Sequence, residues 1–268
     1  MRIVTWNINS VRLRLPQIET LNSLVRPDIL CLQETKVIND LFPRAALAQM
    51  GFEHIAIAGM KSYNGVAIAS RLPLESVQVH DHCGRADCRH IAATVAGIDL
   101  NCLYIPAGGD IPDPDVNDKF AHKLAFLDDI TAWFGTQDPT RPAIVLGDFN
   151  IAPLETDVWS HKQLLDVVSH TPVEVARLDV FQESRRWVDA VRHFIPPERR
   201  LYSWWSYRAA DWAKSDRGRR LDHIWVTPPL VPRLSAAMVL AETRGWTQPS
   251  DHVPVMVDLD ESGAPISR

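Results

Sequence analysis

Short apolar runs, broken by Gly, Pro, Asn and Asp, dominate the chain, and only a few stretches carry helical spacing. Runs at Ile3–Trp6, Ile29–Leu32, His54–Ala58, Gly65–Ser70 and Leu74–Val79 predict strands in the first third. Arg89–Val95 and Ile98–Tyr104 predict a hairpin turning near Gly97, and Ala143–Leu146 predicts a buried strand. Later strands are predicted at Leu201–Tyr207, Leu221–Val226, Ser235–Leu240 and Val253–Leu259. Leu13–Val25 and Phe120–Phe134 have the three-and-four spacing of amphipathic helices, with Pro16 suited to a first turn. Shorter helices are predicted at Phe42–Met50, Gln163–Val168, Pro172–Phe181 and Trp187–Phe194. Many short strands alternating with helices imply two packed sheets covered by helices. No repeat or linker divides the chain, so one domain over residues 1–268 is expected, with a loose tail after about residue 260.

The strand ends are polar. Ile3–Trp6 runs into Asn7 and Asn9, Ile29–Leu32 into Glu34, and Ala143–Leu146 through Gly147 into Asp148 and Asn150. Residues two apart on an extended chain share a side. One polar end is ordinary turn chemistry. Three suggest a common site at one sheet edge, because polar groups beside a core are costly unless they serve a partner.

Two late segments add to the set. Asp222 opens one strand, and Asp251 and His252 precede the last. Adjacent side chains on an extended backbone point apart, so Asp251 and His252 are expected to serve different partners. Asp222 is then placed to fix the His252 tautomer. Glu34, Asp251 and Asn9 offer hard oxygens suited to magnesium or manganese. Asn7, Asn150, Tyr104 and His252 offer donors for a phosphoryl group, leaving Asp148 to activate water.

Composition changes the picture little. The 268 residues are 46% hydrophobic, enough for a large core. No apolar run is long enough to span a membrane, and no leader pattern is present. Cys31 and Cys102 sit in apolar runs and read as buried thiols, so a reducing, cytoplasmic setting is expected. The net charge of −5 argues against binding nucleic acid through overall charge. Its distribution argues otherwise: from Arg185 to Arg220 there are ten basic residues against four acidic, interleaved with Trp and Tyr, a pattern suited to a phosphate backbone. His80, His82, Cys83, Cys88 and His90 are zinc-ligand types, but their spacing matches no common structural site, and a polar loop is the preferred reading.

TWNINSVR at 5–12, PDILCLQETK at 27–36, Tyr104-Ile105-Pro106, GDFN at 147–150, Arg220-Leu221-Asp222 and Ser250-Asp251-His252 occur in this order along the chain. Together they resemble the exonuclease III family of apurinic/apyrimidinic endonucleases, within the endonuclease/exonuclease/phosphatase superfamily. The resemblance runs from Arg2 to about Leu259. It implies an α/β four-layered sandwich, two mixed sheets flanked by helices. It also implies a magnesium-dependent enzyme acting on double-stranded DNA that cuts 5′ to abasic sites and trims 3′ ends; nothing in the sequence demands more than a monomer. By motif position, Glu34, Asp251 and Asn9 match the metal ligands, and Asn7, Tyr104, Asn150 and His252 the phosphate-contacting group. Asp148 matches the proton-transferring carboxylate and Asp222 the partner of His252. Trp204, Leu221 and Arg219 map onto the pocket for an abasic sugar, with Arg208 and Trp212 nearby.

Three positions depart from the family pattern. Ala107 stands where Asn or Gln is common, Asp110 lies where some members carry a DNA-entering arginine, and Arg219 replaces a bulky apolar residue. They imply a weaker, strongly salt-dependent grip on duplex DNA. A related phosphatase, or a nuclease for RNA or single strands, is the alternative enzyme. A non-catalytic nucleic-acid-binding module fits less well, since three carboxylates beside a phosphate-binding surface are a liability without metal or chemistry.

Overall fold

In the computed structural model, residues 1–209 and 211–260 are described, so the expected loose tail lies outside them. The first half of the chain runs β1 (Arg2–Asn7), α1 (Leu15–Val25), β2 (Ile29–Gln33), α2 (Arg44–Gln49), β3 (His54–Ala58), β4 (Val66–Ser70), β5 (Glu75–His80), β6 (His90–Val95) and β7 (Ile98–Tyr104). The second half runs α3 (Asp118–Gly135), β8 (Ala143–Asp148), α4 (His161–Leu164), α5 (Pro172–Glu183), β9 (Val188–Asp189), β10 (Trp204–Trp205), α6 (Trp212–Ser215), β11 (Gly218–Arg219), β12 (Asp222–Val226), β13 (Leu234–Val239) and β14 (Val255–Leu259).

Twelve strands form two six-stranded sheets, ordered β13-β14-β1-β2-β4-β3 and β5-β6-β7-β8-β12-β9. Each is antiparallel except for one central parallel pair, β1–β2 in the first and β7–β8 in the second. Strands buried on both faces read as continuous apolar runs, which is why β2 and β8 stood out in the sequence. Ile3, Cys31, Ile68, Leu100, Ile144 and Val257 fill the space between the sheets. Val4, Trp6 and Leu32 face outward onto Ile18 and Leu21 of α1. On the other side, Val145 and Trp225 pack on Phe126 and Ile130 of α3 and on Phe181 of α5. Helix, sheet, sheet and helix thus make the four layers of the expected α/β sandwich. No helix among the described residues is long and apolar enough to cross a membrane.

The helices start where side chains satisfy their free amides. Asn117 accepts from Lys119 N at the head of α3, and Thr171 and Glu174 form a reciprocal box at the head of α5. Gly147, at φ +139°, has no alternative: a Cβ there would meet the Leu103 carbonyl oxygen at 1.9 Å. β8 therefore presses against β7 one residue before Asp148.

Three predicted elements differ. The helix predicted at Gln163–Val168 lies earlier, at His161–Leu164, and the chain turns from Leu165 onward. Trp187–Phe194 is not a helix. Val188 and Asp189 pair with β12, and the Asp189 carboxylate then accepts from Val191 N and Arg192 N in a turn. The strand predicted at Leu201–Tyr207 shrinks to Trp204–Trp205, which pairs with the two-residue β11 on one side and makes a single bridge to His252 on the other.

The zinc-type donors do not converge. His82 Nε2 and His90 Nδ1 share a hydrogen bond of 2.9 Å, Cys83 is exposed, and Cys88 Sγ lies 3.6 Å from the Gly59 carbonyl. Burial holds His80, His82, His90 and His170 below the ordinary histidine range, and His223 down to about 4. The unfolded chain therefore takes up more protons than the folded one as pH falls below about 6.5, so these histidines cost stability on acidification. Asp148, described below, opposes this. We expect thermal melting to drop between pH 6.5 and pH 4.5, and to drop more steeply in Asp148→Asn. A melting temperature that rises over this interval in the variant contradicts the assignment.

Candidate active site

Both sheets end at the same edge of the sandwich. Asn7 closes β1, Glu34 follows β2, Tyr104 closes β7, Asp148 closes β8, and Asp222 opens β12. Registry aligns Tyr104 and Asp222 with Asp148 on either side. His252 joins them because its backbone bridges Trp204 and its carbonyl accepts from Trp6 Nε1. Asn9, Glu34 and Asn150 all adopt positive φ, at 46°, 51° and 55°. Asparagine tolerates this region, whereas glutamate rarely enters it, and such conformations cluster at functional sites.

The side chains form one connected network. Asn7 Nδ2 donates to Glu34 Oε1 and to Asp148 Oδ2, both at 2.8 Å. Tyr104 donates its hydroxyl to Glu34 Oε1 at 2.9 Å. Asp148 also accepts from Asn150, at the backbone N (2.9 Å) and at Nδ2 (3.1 Å). His252 is held between two carboxylates, with Nδ1 2.8 Å from Asp222 Oδ2 and Nε2 3.6 Å from Asp148 Oδ2. Ser203 was missed in the sequence. Its hydroxyl donates to Asp222 at 2.7 Å and accepts from the amides of Leu221 and Asp222. A lone serine in an aromatic segment carries no signal of this role.

Electrostatics divide the carboxylates. Burial pushes Asp148 up to about 7, against the pull of His252 and Asn7. Burial disfavours the charged imidazole of His252, but Asp222 and Asp148 override it and push His252 up to about 10. Burial works against ionised Glu34 too, yet Lys36 and Asn7 hold it below the ordinary carboxylate range. Burial, with Glu34 and Asp148 beside it, raises Tyr104 well above the ordinary phenol value, so it remains a donor. Glu34 is therefore held as an anion, His252 as a charged imidazole, and Asp148 as a carboxylate able to exchange a proton near neutrality.

Glu34 Oε2 and Asn9 Oδ1 converge on the Lys36 ammonium, at 2.8 and 2.5 Å. Asp251 reaches the same corner, accepting from Asn9 Nδ2 at 3.2 Å, while its other oxygen accepts from Trp204 Nε1 at 3.0 Å. A second group suited to a metal by distance alone is Asp148, Asp222 and His252, whose ligand atoms lie within 4.8 Å of one another.

Residues from β1 to the segment before β14 thus meet at one edge, and most of the chain matches a known family. The model of the "Endonuclease/Exonuclease/phosphatase family" matches residues 4–252. The chain belongs to this family. Exodeoxyribonuclease III of Haemophilus influenzae is 25% identical, over 97% of this chain and 100% of that protein. Among solved structures, an AP endonuclease from Archaeoglobus fulgidus superposes with a TM-score of 0.90 at 34% identity, covering 97% of this chain and 99% of that one. A 3′ phosphatase from Neisseria, bound to a product DNA hairpin, has the same TM-score and coverage at 35% identity.

The residues expected to line the wall of an abasic-sugar pocket lie near one another. Leu221 is buried at 4% exposure, while Trp204 and Arg219 are half-buried beside each other. Trp212 is not part of this wall. It opens α6 and packs on Trp205 and Arg244. Arg208 is exposed in the turn after β10 and makes none of the ion pairs among the described residues. The basic run is less available than its composition suggests. Arg220 is buried on Asp157 and Asp189, Arg192 pairs with Asp157, and Arg185 is buried on backbone carbonyls. An open groove of about 510 Å³ runs past Tyr104, lined by Arg89, Lys119 and His122 together with Asp87 and Asp118.

Proposed function

We propose that the protein is a magnesium-dependent phosphodiesterase acting on double-stranded DNA, incising 5′ to abasic sites and trimming 3′ ends. The observation that carries this is Asp148, a buried carboxylate poised near neutrality between Asn7 and His252. The relatives' activities at DNA ends and abasic sites add support.

Glu34, with Asn9 and Asp251, is the better set for magnesium or manganese. These are hard oxygens, and two of them already face a positive charge in Lys36. His252 is a poor ligand, because an imidazolium has no free lone pair. The closeness of Asp222 and His252 is that of an acid orienting a histidine. When bound, the cation would neutralise charge on the phosphoryl oxygens.

Asn7, Asn150, Tyr104 and His252 supply donors to a phosphoryl group whose charge grows in the transition state. Asp148 takes the proton from the attacking water. Asp222, fixed by Ser203, keeps His252 charged and oriented.

The test is cleavage of labelled duplexes, one with an internal tetrahydrofuran abasic analogue and one with recessed 3′ ends, in magnesium or excess EDTA. EDTA-sensitive cleavage that Glu34→Ala abolishes, with DNA binding retained, is the expected result. Hydrolysis confined to small phosphate esters would move the protein to the phosphatase branch, and cleavage insensitive to EDTA would remove the metal.

A further inference from the structure

Antiparallel pairing of β10 with β11 sets Arg219 opposite Trp204, and the guanidinium lies 5.4 Å from the indole centroid. It continues past the ring. Nη1 donates to the Val168 carbonyl at 3.0 Å and to Ser169 Oγ at 2.7 Å. Both ends of this strut are fixed. Trp204 is held at its edge by Asp251, and Ser169 N donates to both oxygens of Glu174 at 2.9 Å. Leu221, buried behind, packs with Ala152 and Val158 against the apolar side of Trp204.

Arg219 has no carboxylate partner among the described residues, and its Nε is buried without an acceptor. The neighbouring Arg220 is satisfied by two carboxylates. A desolvated cation without a counter-ion is costly, and burial pulls Arg219 below the ordinary arginine value. Structural anchoring is already supplied by Arg220, so this cost is not needed to hold β11 in place.

Cutting inside a duplex requires room beside the scissile phosphate for an extruded nucleotide. Cutting at a strand end does not, because the terminal nucleotide reaches the site by fraying. We propose that Arg219 closes the wall between Trp204 and the Val168–Ser169 segment, and so sets the substrate class to DNA 3′ ends over internal abasic sites. The proposal rests on the DNA phosphodiesterase reading above and narrows it. The open groove past Tyr104 is where a strand can be gripped without extrusion.

The test compares kcat/KM on a duplex with a 3′-phosphate at a recessed end and on one with an internal tetrahydrofuran, both in magnesium. Wild type is expected to favour the end by at least about tenfold, and Arg219→Ala to shrink that ratio about tenfold by faster internal incision. Arg219→Lys keeps the charge but loses the planar fork, and is expected to shift the ratio about threefold. Melting temperatures establish that both variants fold. Equal wild-type rates on the two substrates, or an unchanged ratio in both folded variants, would overturn the proposal. No turnover of either substrate by wild type would instead overturn the DNA phosphodiesterase reading, and this proposal with it.

Discussion

Asp148→Asn is expected to lower kcat by about 10³-fold while duplex affinity changes little, the middle of the range for loss of a positioned proton acceptor. The substitution is close to isosteric, and the site is rigid. Asp148 is 1% exposed and receives Asn7 Nδ2, Asn150 N and Asn150 Nδ2. An amide at this position presents a donor to at least one of those donors, and it cannot accept a proton from water. The wild-type rate should rise with pH to a plateau above about 7, where Asp148 loses its proton. The residual rate of the variant should lack that rise. Single-turnover rates across pH, with binding followed by anisotropy, read both effects. A loss under tenfold, or an unchanged pH profile, would assign proton transfer to another group.

The largest effect on stability is expected at Lys123. Its ammonium lies 2.5 Å from Glu174, 2.8 Å from the Asn150 carbonyl and 3.3 Å from the Ala107 carbonyl, and both side chains of the ion pair are fully buried. Burial lowers the Lys123 pKa, and Glu174 opposes this. Lys123→Met leaves Glu174 charged and without its cation, at a cost of about 3–5 kcal/mol. At this chain length each kcal/mol shifts melting by about 2–4 °C, so a fall of roughly 6–20 °C is expected. Lys123→Met with Glu174→Gln removes the stranded charge and should recover part of the loss. A single-variant fall below about 2 °C would mean that water or backbone amides already satisfy Glu174.

Legibility in the sequence followed the physics of each element. Strand alternation fixes which side chains leave a sheet edge together, and so Asn7, Glu34, Asp148 and Asp222 were visible as polar ends of apolar runs. Residues acting across long sequence separations were not. Ser203 serves Asp222, and Lys36 stands between Glu34 and Asn9, yet neither interrupts a pattern. Lys123 did leave a trace, since it sits among Phe120, Leu124 and Leu127 on the buried face of α3. The basic run misled for the opposite reason: composition counts Arg185, Arg192 and Arg220 as surface charge, whereas internal acceptors hold them.

The network at the sandwich edge crosses between layers. Asn7 belongs to one sheet and bonds Asp148 of the other, while Tyr104 of the second sheet reaches back to Glu34 beyond the first. Apart from the Gln33–Cys102–Leu32 contacts, the two sheets meet elsewhere mainly through apolar side chains, which resist separation far better than sliding. The polar edge therefore works as a vernier between them: a slip too small to expose the core would already pull donors off their acceptors. Under warming or mild denaturant, turnover should fade while the folded spectrum stays intact, so that activity measures the alignment of the two sheets.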